Sequence, residues 1–119
     1  MKHALRFSAL AVLLAMLTAP LPARADATAT TSIAQLHVLE PSDSKYNLYH
    51  GVIWLDYDKA KNSYRWGGKQ CGDQGISESN LNLLFSAFRG KYSITVQFSK
   101  HLFESQVYRC ITGFTLTRS

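Results

Sequence analysis

The sequence is short of the parts from which active sites are built. Its 119 residues include four histidines, two cysteines and eight acids. No HxxxH, HxH or Cys/His group has the spacing of a metal site. GxSxG, P-loop and GxGxxG motifs are missing. Asp56 and Asp58 stand two apart, without the further oxygen donors at fixed intervals that a calcium loop needs. Cys71 and Cys110 form no CxxC, and no sequence feature activates either sulfur. His37 and His50 fall on strand-like segments, where they read as polar-face residues. These absences argue against an enzyme and against a bound metal or other cofactor. Internal repeats and low-complexity tracts are also missing.

A long apolar run is lacking too. Ala9 to Leu17 is uncharged, but it falls short of the roughly 20 residues that span a bilayer, so no membrane insertion is expected. Lys2 and Arg6 precede that run, and Pro20, Pro22 and Ala23-Arg24-Ala25 follow it. This is the order of a secretory signal peptide. Residues 1–25 therefore read as a leader cut after Ala25, and the protein as secreted or periplasmic. The cut removes three basic residues and no acid, so the formal charge falls from +5 to +2, ten basic against eight acidic. The remaining charges are scattered, which argues against nucleic-acid binding.

What is left, about 94 residues, fits one small domain with a marginal core. In an exported protein its two cysteines, Cys71 and Cys110, read as a disulfide.

Residues 26–32 (DATATTS) are small and polar and read as a flexible N-terminal arm. Ile33 to Leu39 has a period of two, with Ala34, Leu36 and Val38 on one face. Tyr46 to Tyr57 is rich in β-branched and aromatic residues and predicts a second strand; Tyr64-Arg65-Trp66 starts a third. Ser77 is a helix cap, and Leu81, Leu84, Phe85 and Phe88 have the spacing of one buried face. Arg89 falls in the last turn, and Gly90 predicts the stop. Ser93 to Ser99 alternates with Ile94, Val96 and Phe98 inward, and Tyr108 to Thr117 predicts a last strand with Cys110, Phe114 and Leu116 on a shared side. Residues 33–119 thus predict a mainly β domain with one helix, in the order β-β-β-α-β-β. This is the order of the OB-fold, a five-stranded Greek-key barrel, and an open α+β sheet also suits it. Six tyrosines and two tryptophans favour a binding module over an enzyme, since these rings suit recognition surfaces.

Ser32-Ile33-Ala34-Gln35-Leu36-His37-Val38, the helix Leu81-Asn82-Leu83-Leu84 to Phe88, and Ser93-Ile94-Thr95-Val96-Gln97 together resemble the B subunits of bacterial one-A-five-B toxins, most nearly the subtilase-cytotoxin and pertussis-like typhoid-toxin B subunits. The resemblance implies an OB-fold protomer in a homopentameric ring that binds sialylated or related host glycans and carries a toxin A subunit. Thr30, Thr31 and Ser32 would contact the glycan, with Arg89 as a charged donor to a sugar carboxylate. The sequence departs from the subtilase branch in two respects. Ala29 stands where that branch has a sugar-binding serine ahead of the first strand, and the cysteines lie at other positions. A rival expectation is a periplasmic inhibitor or immunity protein that blocks a partner enzyme through the loop Gly67 to Gly75, with Lys69 and Gln70 as contacts.

Overall fold

The computed structural model describes residues 26–118; the expected leader, residues 1–25, lies outside them. The domain is mainly β with a single helix. Its strands are β1 (Asp26–Ala27), β2 (Ile33–Val38), β3 (Gly51–Leu55), β4 (Ser63–Trp66), β5 (Ser93–Phe103) and β6 (Gln106–Thr117). The helix α1 (Glu78–Gly90) lies between β4 and β5, and short 3-10 turns occupy Asp56–Asp58 and Lys69–Cys71. No helix among the described residues is long and apolar enough to cross a membrane.

All six strands join one sheet in the order β1-β5-β6-β4-β3-β2. Every pairing is antiparallel except β4 with β6, which run parallel at Arg65 and Cys110. The two ends of that order belong to one continuous segment. Thr31 bridges Ile94 of β5, and Ile33 pairs with Leu55 of β3. Two residues along an extended chain span about 7 Å. The sheet must therefore curl until the N-terminal segment joins both of its ends, which covers part of the open edge that invites aggregation. The expected loose arm is consequently part of the sheet: Asp26 and Ala27 pair with Phe98 and Gln97, and Thr28 is buried.

The core gathers Ile33, Ile53, Leu55, Tyr64, Trp66, Leu84, Ala87, Ile94, Val96, Phe98 and Ile111. Strict alternation holds in β5, where Ile94, Val96 and Phe98 all face inward. It fails in β2 and β6 because each contains a bulge. Ala34 is an extra residue between the pairs Ile33–Leu55 and Gln35–Trp54. The bulge turns Ile33 and Leu36 toward the core and leaves Ala34 and Val38 exposed. In β6 the partners of Gln97 and Phe98 are Gly113 and Ile111, so Thr112 is the extra residue. Phe114 and Leu116 join Ile111 against the core, while Cys110 faces the other side of the sheet.

The second strand is shorter than predicted. Residues 43–49 turn instead of extending: Asp43 Oδ1 accepts from Lys45 N, and Leu48 N donates back to Lys45 O. The helix starts as its cap dictates, with Ser77 Oγ accepting from Asn80 N at 3.3 Å. Its buried stripe is centred on Leu84 and Ala87, so Phe88 lies at the margin, 38% exposed. Gly90 is the last helical residue, not the residue after it; Lys91 takes the left-handed angle, φ 54. A Cβ at Gly90 would meet the Tyr92 ring, at 2.6 Å from its nearest atom. Glu104 and Ser105 both have positive φ in a two-residue hairpin turn between β5 and β6, the geometry that matches strand twist.

Candidate functional site

The expected disulfide is present. Cys71 and Cys110 are bonded with Cα atoms 5.5 Å apart. It ties the 3-10 turn before α1 to the outer face of β6. A bridge closing a loop of 39 residues stabilises by about 4 kcal/mol in the chain-entropy model.

Thr30, Thr31 and Ser32 lie together where the N-terminal segment passes from β5 to β3. Each hydroxyl has an internal partner. Thr30 Oγ1 shares a hydrogen bond with Thr95 Oγ1 at 2.8 Å. Thr31 Oγ1 accepts from Tyr57 N at 2.9 Å. Ser32 Oγ donates to Asp56 Oδ2. Tyr57, whose main-chain N makes the bond to Thr31, is 46% exposed as a residue, and its hydroxyl bonds that of buried Tyr64 at 2.8 Å. The result is a surface patch of hydroxyls, one carboxylate and one anchored aromatic ring. Arg89 does not join it by a hydrogen bond among the described residues; it is exposed in the last turn of α1.

Burial drives the Tyr64 phenol well above its ordinary value, and the hydrogen bond with Tyr57 adds to this. Tyr64 thus stays neutral and serves as a fixed post for the Tyr57 ring.

A second constellation lies on the outer face of the sheet, around the disulfide. Arg65 projects outward from β4, between inward Tyr64 and Trp66. Its guanidinium carbon sits 4.5 Å from the Tyr49 ring centroid and 5.2 Å from that of Tyr108. Nη1 donates to Gln70 Oε1 at 2.7 Å. Nε is buried and has no hydrogen-bond partner. Gln70 is itself buried, and its main-chain carbonyl lies 2.8 Å from His101 Nδ1, which must donate because a carbonyl only accepts. Gln70 is therefore not a surface contact of the 67–75 loop. Lys69 and residues 72–75 are the exposed part.

Sequence reasoning missed this cluster, since an outward arginine on an alternating strand is unremarkable. Only the fold brings Tyr49, Gln70 and Tyr108 to it. Among the described residues, no group of three or more His, Cys, Asp or Glu is placed to hold a metal ion. A cavity of about 120 Å³ lies between the start of α1 and the β6 bulge, lined by residues including Ile76, Asn80, Thr112 and Phe114.

No family model, no curated protein and no solved structure matches the chain.

Proposed function

We propose that this is an exported, non-enzymatic glycan-binding protein of the B-subunit kind, an OB-fold protomer that assembles as a ring. The observation that carries the reading is the N-terminal segment. It pairs with β5 through Thr31 and with β3 from Ile33, and β4 and β6 run parallel. Curling and one parallel pair among antiparallel neighbours support a five-stranded Greek-key barrel in which β1 and β2 count as one strand.

The sugar would lie on the patch at the same junction. The Tyr57 ring offers an apolar face for a pyranose, and Thr30, Ser32 and Asp56 offer hydroxyl and carboxylate partners for its hydroxyls. Asp56 favours the hydroxyl-bearing side of a sugar and repels a carboxylate. Arg89 would have to supply the counter-charge for a sialic acid. Weak single sites gain strength by acting together in a ring of five, and the ring would carry a toxin A subunit.

The test is a glycan array with the mature protein, together with light scattering on a sizing column. The expected outcome is an oligomer with a saccharide signal that falls on Tyr57→Ala. A strict monomer with no glycan signal overturns the reading.

One observation favours the inhibitor reading as a second choice. Lys69 is exposed on a turn locked by Cys71–Cys110 and flanked by exposed residues 72–75. A pull-down that recovers a hydrolase, and loses it on Lys69→Ala, would select it.

A further inference from the structure

We infer that Arg65 is the centre of a binding site for a carboxylate, separate from the Thr30–Ser32 patch and independent of the glycan reading. The guanidinium has two faces and two in-plane edges. Its central carbon lies over the Tyr49 and Tyr108 rings. One edge is satisfied, because Nη1 donates to Gln70 Oε1. The other edge carries Nε, a buried donor with no acceptor. On this edge the Nε–H and an Nη2 hydrogen point the same way, the side-on fork that matches the two oxygens of a carboxylate. Leaving a charged donor buried and unpaired is costly, and an arriving acceptor removes that cost.

The surroundings select for an anion. The Gln70 main chain is held by His101 Nδ1 and by the neighbouring disulfide, and its side chain occupies Nη1. No Asp or Glu hydrogen-bonds Arg65 among the described residues. The side chains shown against it are Tyr49, Gln70 and Tyr108, none of them a carboxylate.

Tyr108 is the less tightly held of the two rings. Its ring lies farther from the guanidinium than that of Tyr49, 5.2 against 4.5 Å. Its hydroxyl is tied only to Gln106 Oε1, two residues away on the same strand.

The test follows the Arg65 Nε–H resonance of the intact oxidised protein by NMR while acetate is added at constant ionic strength, with chloride and phosphate as comparison anions. The expected result is a saturable shift with acetate and none with chloride, which cannot engage both donors of the fork; phosphate, whose oxygens the fork also matches, should shift the signal as acetate does. Arg65→Lys keeps the charge and loses the fork, and should weaken acetate binding, read from the Gln70 side-chain amide, by about tenfold or more. Tyr108→Phe should retain the shift. An Nε–H signal unmoved by acetate, or moved equally by all three anions, overturns the proposal and leaves Arg65 as a structural strut. Equal binding by Arg65→Lys also overturns it.

Discussion

Thr28 and Val96 hold each other twice. Thr28 N donates to Val96 O at 2.9 Å, and Val96 N donates to Thr28 Oγ1 at 3.0 Å. A side-chain hydroxyl thus replaces a backbone carbonyl in the ladder between the N-terminal segment and β5. Thr28→Val keeps the shape and removes the acceptor. It leaves a buried N–H unpaired and should cost about 1–3 kcal/mol. Urea denaturation checks this. Unchanged stability would mean that the segment contributes little to the closed sheet.

Reduction of Cys71–Cys110 should lower the unfolding free energy by about 4 kcal/mol, which for a domain this small is a large share of the total. Denaturant titration with and without reductant gives the difference. Cys71→Ser with Cys110→Ser should behave as the reduced protein does.

Stability should fall in strong alkali, and Tyr64 should be a principal cause. Burial raises its folded-state value above the ordinary 10.0. Below pH 10 its contribution is fully present. Above that the unfolded chain releases the proton while the folded chain keeps it, so the unfolded state gains. Tyr64→Phe removes the titrating group and should flatten the decline. Unfolding curves measured across the alkaline range, for both proteins, test the slope; identical slopes would refute the assignment.

Gly51 has no room for a side chain. A Cβ there would fall within the buried Trp66 ring, which pairs across from it on β4. Gly51→Ala should therefore cost about 1–3 kcal/mol through overpacking, with a change in tryptophan fluorescence as the accompanying sign. Gly75→Ala, where no atom lies within 4 Å of the added carbon, is the neutral comparison.

Features set by neighbours in the chain were legible in the sequence. The Ser77 cap, the inward alternation of Ile94, Val96 and Phe98, and the single helix between strands are of this kind. The cysteine pairing was legible because only one pairing exists. The bulges at Ala34 and Thr112 were not, because one inserted residue reverses the phase of a strand without changing its composition. Phe88 was misjudged because Ala87, small and easily overlooked, holds the centre of the buried stripe. The hydroxyl patch was half visible: Thr30, Thr31 and Ser32 could be named, but Asp56 and Tyr57 come from beyond β3. The Arg65 cluster draws on four separate segments, and no local pattern announces it.

The closure of the sheet also constrains the order of events in folding. Thr28 leaves the ribosome first, yet its partner Val96 follows 68 residues later. The β5–β6 hairpin, with its two-residue turn, can form quickly and alone, whereas the N-terminal segment must wait for it. Such long-range pairing slows folding toward the millisecond-to-second range. During that interval β5 presents a free edge, and the N-terminal segment of another molecule is chemically identical to its own. At high concentration two chains can exchange these segments, so that a dimer held by swapped strands competes with correct closure.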